Sequence, residues 1–426
     1  MKIAIIGSGY VGLPLSIAFS KYYSVISYDI NQKRVKDLLK GIDSNQQHRK
    51  KEILKKKLIF TSNKNLLKDN DIYIITVPTP IKSNNQPDLN MLKQASILVG
   101  KIIKKNACII FESTTYLGCT EEFCVPLIQK FSKLKFEKDF SVAYSPERVN
   151  PGDKANVLKN IVKIVGANDN KTLLKVKSLY KKICRSVYIV NNIKVAEGAK
   201  VIENIQRDLN IALVNELSIL FNKLNIPTNE VLNAANTKWN FHYYKPGLVG
   251  GHCISVDPYY LAYQAKKKKV FPKLILSGRR LNESMGKYVA MQTVKLLKNN
   301  SLDFNKSRVA VLGFAFKDNI PDIRNTKVIQ ILEYLRKKNI KFDVFDSWVS
   351  KEQVKKEYKI IIKDFKYFKK NKFDAIILVV SHKLFLKKLS FYSKFYKNNN
   401  KKIFIDVKNN YSIKDLNKNN FKYFQL

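Results

Sequence analysis

One glycine-rich turn restricts what this chain can fold into. Ile3-Ala4-Ile5-Ile6 is an uninterrupted apolar run, as a strand buried on both faces requires. Gly7-Ser8-Gly9-Tyr10-Val11-Gly12 follows at once, and Leu13 to Phe19 then opens an apolar helix. A second strand, Ser24 to Tyr28, ends in Asp29. G-x-G-x-x-G between strand and helix, with an acid closing the next strand, is the arrangement that binds a dinucleotide. Gly7 makes the tight turn, Gly9 lets the backbone reach a pyrophosphate, and Gly12 lets helix and strand pack closely. The helix N-terminus adds N–H donors and a positive dipole end. Asp29 accepts from a ribose 2′-OH and repels a 2′-phosphate, which points to NAD. Arg34 nearby leaves NADP as the minor alternative.

Strands continue in α/β rhythm at Ile72 to Val77, Ala107 to Glu112 and Ser141 to Tyr144. In an open parallel sheet, ligands bind outside the carboxyl ends of strands. Those ends are Val77-Pro78-Thr79-Pro80, Glu112-Ser113-Thr114-Thr115 and Ser145-Pro146-Glu147-Arg148. Each alone reads as an ordinary βα turn. Together they set Thr79, Thr114 and Glu147 on the cofactor's rim.

From Val195 to Lys223, apolar residues recur at helical spacing, so a long helix is predicted. Its apolar positions are spread widely, as in a helix that joins two domains and a second subunit. Lys200 and Asn204 share one face, and Glu203 and Arg207 form a neighbouring i,i+4 pair. Asn236 to Pro258 is rich in Gly, Pro and aromatics and reads as a structured loop across a pocket. It contains Gly250-Gly251-His252-Cys253, with Asp257 four residues after the cysteine. A thiol in a Gly-Gly turn can be approached closely, as a covalent nucleophile must be. A buried structural thiol is the competing reading. Arg279-Arg280 is read as beginning or capping the next helix, and paired arginines bind phosphate or carboxylate. Lys298 to Lys306 is the expected linker. Arg308 to Lys317 then repeats the pattern of residues 2 to 12 with most glycines lost, so a second nucleotide-binding α/β unit is expected. Its strands are Phe342 to Phe345, Ala375 to Val380 and Ile403 to Val407, and the tail after Lys408 is weakly patterned.

The net charge of +44 raises the question of nucleic acid or anionic membranes. Lysine is scattered through every segment beside Asn and Ile, a mixture that AT-rich coding favours. A dedicated nucleic-acid surface is therefore not expected. No apolar run approaches the length of a membrane span, and the first residues read as a strand, not an export signal. The expected compartment is the cytosol. Five cysteines, an odd number without metal-like spacing, favour neither a disulfide framework nor a zinc site.

In order along the chain stand GSGYVGLP at 7–14, VPTP at 77–80, EST at 112–114, SPER at 145–148, Lys200 with Asn204, GGHCISVDPYYL at 250–261, GFAFK at 313–317 and PDIRNT at 321–326. This series resembles the NAD-dependent nucleotide-sugar 6-dehydrogenases, the UDP-glucose and GDP-mannose dehydrogenase family, over essentially the whole chain. It resembles most the branch that oxidises UDP-N-acetylhexosamines for bacterial surface polysaccharides. The resemblance implies an α/β protein of two Rossmann-like doubly wound domains joined by a long central helix. The expected boundaries are 1–192 for NAD binding, 193–300 for a helical dimerisation region carrying the cysteine, and 301–426 for the UDP-sugar. It implies a homodimer through the central helix.

It also implies two oxidations at C6 of the sugar, through a thiohemiacetal and then a thioester on Cys253. Lys200 and Asn204 would stabilise the oxyanion. Asp257 and Thr114 would order a water, and Glu147 would act as base. Gly7, Gly9, Tyr10, Val11, Gly12, Asp29, Arg34, Thr79 and Thr114 would hold NAD, with Arg324 reaching it from the last domain. Glu147, Arg148, Lys200, Asn204, Tyr243, Tyr244, Gly247, Gly250 and Lys317 would hold the UDP-sugar, with Arg279 or Arg280 supplied by the partner subunit.

Two positions depart from the UDP-glucose branch. Pro151 stands where that branch has a second glutamate, and Val256 where it has a lysine. Both changes would make room for an N-acetyl group. UDP-GlcNAc is the favoured substrate, with UDP-GalNAc and UDP-ManNAc open. A UDP-glucose dehydrogenase, a single-step hydroxyacid dehydrogenase that needs no cysteine, and a catalytically dead relative are the alternatives.

Overall fold

A computed structural model describes residues 1–149 and 156–426; Pro151 lies outside them. The chain forms two compact units, Met1–Asn204 with Val256–Pro272, and Ile205–Ser255 with Lys273–Leu426. It passes between them within the long helix Ile193–Lys223, after Ser255 and after Pro272. No helix among the described residues is long and apolar enough to cross a membrane.

The first unit is built on eight strands: β1 Lys2–Ile6, β2 Ser24–Tyr28, β3 Leu58–Thr61, β4 Ile72–Ile75, β5 Ala107–Phe111, β6 Phe140–Tyr144, β7 Val162–Ala167 and β8 Ser186–Ile189. Their order is β3-β2-β1-β4-β5-β6-β7-β8, and the first six positions follow the doubly wound order of dinucleotide-binding sheets. Only β6 and β7 pair antiparallel. The central strands are apolar throughout because helices cover both faces: β4 and β5 are buried at every position. Each fully buried Ile, Val or Phe contributes about 1.5–3 kcal/mol.

The second unit carries β9 Arg308–Leu312, β10 Lys341–Phe345, β11 Ile362–Lys363, β12 Ala375–Leu378, β13 Lys402–Asp406 and β14 Phe421–Gln425. All pair parallel in the order β11-β10-β9-β12-β13-β14. The weakly patterned tail is therefore structured. Helix Ile413–Lys418 returns the chain so that β14 lies beside β13. Arg279 and Arg280 fall inside the helix Lys273–Asn299, not at its start.

The second sheet repeats the turn of the first and fills it. Gly7 (φ 102°) donates to Tyr28 O at 2.8 Å, and Gly313 (φ 99°) donates to Phe345 O at 2.7 Å. Asp29 after β2 accepts from Ser8 N at 2.8 Å. Asp346 after β10 accepts from Phe314 N at 2.7 Å and Ala315 N at 3.0 Å. Asp346 is buried, with the His382 ring 3.0 Å from the same oxygen. That carboxylate is spent on the fold, so this turn keeps the backbone of a dinucleotide loop without its ribose acceptor.

Candidate active site

The turn after β1 is held so tightly that its composition is dictated. A Cβ on Gly12 would sit 1.7 Å from Gly7 O and 2.6 Å from Thr76 Oγ1. Thr76 Oγ1 donates to Gly7 O at 2.8 Å and so pins the turn to the end of β4. A Cβ on Gly9 would meet nothing within 4 Å, so bare backbone faces open space there. Asp29 uses one oxygen on Ser8 N, while the other accepts from Asn31 N at 2.9 Å. Arg34 is buried; it donates to Ser8 O at 3.0 Å and pairs with Asp43 at 2.8 Å. Its other terminal nitrogen is buried without a hydrogen-bond partner, a loss of about 1–3 kcal/mol that a ligand acceptor would relieve. The bare Gly9 edge, the strand-end carboxylate and this orphaned donor all fit NAD. Tyr10 and Val11 are partly exposed on the same edge. Gly12→Ala is expected to weaken NAD binding at least tenfold and to destabilise the protein by about 1–3 kcal/mol through overpacking. Calorimetric titration with NAD⁺ beside a thermal melt checks it, and unchanged affinity would refute the assignment of this turn.

The next strand ends are tied to one another. Thr79 Oγ1 donates to Thr114 O at 2.6 Å, and Ser113 Oγ donates to Val77 O at 2.7 Å. Tyr260, on the helix Asp257–Lys267, donates to Thr79 O. That helix begins with Asp257 and Pro258, an acid and a proline in the first turn, where dipole and geometry favour both.

Lys200, Asn204 and Asp257 come together in this unit. Asn204 Nδ2 donates to Asp257 Oδ2, and Lys200 Nζ donates to the backbone carbonyl of Glu147 at 2.8 Å. Asp257 is 2% exposed. Burial pushes its carboxyl up to about 6, against the pull of Lys200 and the Asn204 hydrogen bond. Glu203 pairs with Arg148 at 2.8 Å, so Arg207 is not the partner its spacing suggests. Val256 is buried in the apolar cluster of this unit and does not line open space.

Sequence reasoning missed a charged cluster behind this rim. Glu112, Lys163 and Tyr180 are buried together, with Lys163 contacting Glu112 Oε2 and Tyr180 donating to Glu112 Oε1. Glu197, on the long helix, is also fully buried and accepts from Thr120 N at 3.0 Å, Thr115 Oγ1 at 3.2 Å and Gly118 N. A lysine inside an apolar strand was the available signal for the first cluster.

In the second unit, Cys253 is the exposed one of five cysteines, none of which forms a disulfide. Its loop is clamped from below. Gly251 (φ 88°) donates to Arg324 O at 3.2 Å, and Asn325 Nδ2 donates to Gly251 O at 3.0 Å. A Cβ on Gly250 would lie 2.7 Å from Asn325 O, and one on Gly251 would lie 2.8 Å from the Phe316 ring. The GFAFK and PDIRNT loops thus form the floor on which the cysteine loop rests. Lys317, in that floor, is partly exposed. Arg324 Nε donates to both Asp322 oxygens, at 3.0 and 3.1 Å.

Gly247 exchanges bonds with Asn215, 2.8 Å to Oδ1 and 3.1 Å from Nδ2, and Asn215 donates to Asn282 Oδ1 at 2.8 Å. Asn282 Nδ2 in turn donates to Asp208 at 2.7 Å. Tyr243 reaches Asn233 at 3.2 Å and Tyr244 reaches Gln206 at 3.4 Å. Arg279 is fully buried against Asp208, so its carboxylate partner belongs to its own chain, contrary to the expected substrate role. Arg280 is exposed. Among the described residues, no group of three or more His, Cys, Asp or Glu could hold a metal ion.

Three profiles of one family match the chain. They are the UDP-glucose/GDP-mannose dehydrogenase family's NAD binding domain over residues 1–184, its central domain over 194–284 and its UDP binding domain over 310–413. The UDP-N-acetyl-D-glucosamine 6-dehydrogenase of Salmonella typhi is 48% identical over 387 residues, 90% of this chain and 91% of that protein. The Pseudomonas aeruginosa protein of the same name matches to the same extent. Among solved structures, a UDP-D-ManNAc dehydrogenase from Pyrococcus horikoshii superposes with a TM-score of 0.89 at 31% identity, covering 100% of this chain and 99% of that one.

Proposed function

Because this chain belongs to the UDP-glucose/GDP-mannose dehydrogenase family, and is thereby an NAD-dependent nucleotide-sugar dehydrogenase of the UDP-N-acetylhexosamine type, we propose that its substrate is UDP-GlcNAc and its product the C6 uronic acid. The single observation that carries the substrate is the 48% identity, over 90% of the chain, to two proteins named for UDP-N-acetyl-D-glucosamine. NAD⁺, which the Gly7 to Gly12 turn and Asp29 would hold, would supply the hydride acceptor for each oxidation. The residues of the chain do the rest. The Cys253 thiolate adds to the C6 aldehyde, and the thiohemiacetal goes on to a thioester. Exposure of this one thiol supports its role.

Lys200 and Asn204 donate to the oxyanion of these adducts. Asp257 and Thr114 order the hydrolytic water, and Glu147 takes its proton. The hydrogen bonds that already join Lys200 to Glu147 and Asn204 to Asp257 support this division of labour. Tyr243, Tyr244, Gly247, Gly250, Lys317 and Arg148 are assigned to the UDP-sugar. Arg324 is assigned to the cofactor and Arg280 to a partner subunit's substrate. Residues 1–192, 193–300 and 301–426 are the proposed NAD, dimerisation and UDP-sugar regions. Ile202, Leu213 and Leu220 are 54%, 57% and 49% exposed on the long helix, which supports a homodimer formed through it. A cytoplasmic supply of uronate for surface polysaccharide is the matching physiological role.

The test is a panel of UDP-GlcNAc, UDP-GalNAc, UDP-ManNAc and UDP-glucose with NAD⁺ and NADP⁺, counting NADH per sugar. Two NADH per UDP-GlcNAc is expected, with kcat/KM at least tenfold lower for UDP-glucose and for NADP⁺ in place of NAD⁺. Equal turnover of UDP-glucose would remove the N-acetylhexosamine assignment, and one NADH per sugar would remove the double oxidation.

A further inference from the structure

Lys163, the second residue of β7, has a completely buried side chain. An ammonium there must find charged partners or the fold loses several kcal/mol. It has two carboxylates. Glu112, one residue past β5, contacts it directly, and Glu147 Oε2 lies 3.9 Å away. Lys163 Nζ also donates to Pro146 O at 2.9 Å. One ammonium therefore holds the backbone entering Glu147 and faces one oxygen of its carboxylate, whose other oxygen accepts from Val149 N.

The groups around it are few. Tyr180, on the helix Asn170–Lys181, donates to Glu112 and places its ring 5.3 Å from the ammonium. The Cys184 thiol is also within reach of the Lys163 charge, which pulls down a value that burial pushes up. On the opposite side, Lys200 holds Glu147 O at 2.8 Å, and Arg148 is occupied by Glu203. Glu147 is 14% exposed at its side chain while Glu112 and Lys163 are at zero. Glu147 thus reaches open space from a wholly buried base.

We infer that Lys163 is a positioning residue for Glu147, with Glu112 as its counter-charge: the buried ammonium fixes the backbone entering Glu147 and is the cation its carboxylate faces. The inference rests on the proposed role of Glu147 as the hydrolytic base. A one-to-one buried pair is often replaceable by apolar side chains. Here one cation faces two carboxylates, so the charge on either acid governs the other. Burial pushes Glu112 up to about 7; Lys163 pulls the other way, and Glu147 adds to the rise.

The experiment follows single-turnover release of uronate from the full-length enzyme with NAD⁺ and UDP-GlcNAc, across the neutral pH range. Lys163→Met removes the cation. The acid limb of hydrolysis is expected to rise by about one pH unit, since a charge at this distance shifts a carboxyl by about one unit or more. KM for the sugar should change little. Glu112→Gln removes the competing acid and leaves Lys163 to Glu147 alone, so the limb should move down. Opposite displacements support the inference. A structural role lowers the Tm of both variants with the limbs unmoved, and that result overturns it. If Lys163→Met does not fold, the near-isosteric Glu112→Gln decides alone, and an unmoved limb is again fatal. Glu147→Gln separates the two ideas. If it abolishes hydrolysis while the other limbs stay put, only the inference fails; if it hydrolyses normally, the base assignment fails and takes the inference with it.

Discussion

Cys253→Ser is expected to abolish uronate formation, by at least roughly a thousandfold, while NAD affinity stays at the wild-type level. A serine hydroxyl without an adjacent base is a weak nucleophile, whereas a cysteine is in part thiolate near neutral pH. Cys253 is exposed and serine replaces its sulfur with a smaller atom, so the substitution adds no clash. The affinity should survive because the dinucleotide turn, Gly7 to Gly12, is held by Thr76 and Asp29, not by the cysteine loop. The variant should stall after one hydride or trap an ester. NADH counted per sugar should fall from two to one or fewer, and intact-protein mass spectrometry should detect any trapped adduct. Full turnover to uronate would take Cys253 out of the mechanism and return it to the structural role that four of the five cysteines, all buried, already have.

Asp257→Asn should give an enzyme that is more stable and nearly inactive. The Asp257 carboxyl is buried and pushed up to about 6 from 3.8, so its ionised form is penalised in the fold. The sign follows from proton linkage. Stability associated with this group is complete below its unfolded value and is lost as pH rises through about 6. Removing the charge therefore stabilises the protein at pH 8, by about 1–3 kcal/mol. The gain should shrink as pH is lowered through 6 and close near 4. The Asn204 hydrogen bond survives, because an asparagine oxygen also accepts. Loss of the carboxylate that orders water should lower kcat by about 10²–10³. Denaturant titrations at several pH values beside kcat measurements check both halves. A variant less stable at pH 8, or a gap indifferent to pH, would show that the charge is not strained. The wild-type sequence keeps a residue that weakens the fold, a trade expected at an active site.

Much of the architecture was legible along the chain. β1, the turn Gly7 to Gly12 and Asp29 were readable because a buried strand, a crowded turn and a strand-end acid are each imposed within a few residues. The long helix and β9, β10, β12 and β13 followed from periodicity in the same way. β3, β7, β8, β11 and the tail strand β14 were missed: the place of each depends on a distant neighbour in the sheet, even for β7, the longest strand at six residues. Arg279 shows the same limit in the site. Its pairing with Arg280 suggested an exposed anion clamp, yet the helix Lys273–Asn299 turns one guanidinium inward to Asp208 and the other out to solvent.

By itself, the sequence determined the dinucleotide turn, the class of fold and the set of reactive residue types, because these are fixed by backbone geometry and local alternation of apolar and polar residues. Only the tertiary structure decided which charges meet. Lys163 in an otherwise apolar strand, Glu112 some fifty residues earlier and Tyr180 on a helix beyond it have no shared periodicity. Nor do Asn215, Asn282 and Gly247, which hold the loop leading to Cys253. Buried polar groups must find partners wherever the packed elements bring them, and that choice is made by the fold as a whole.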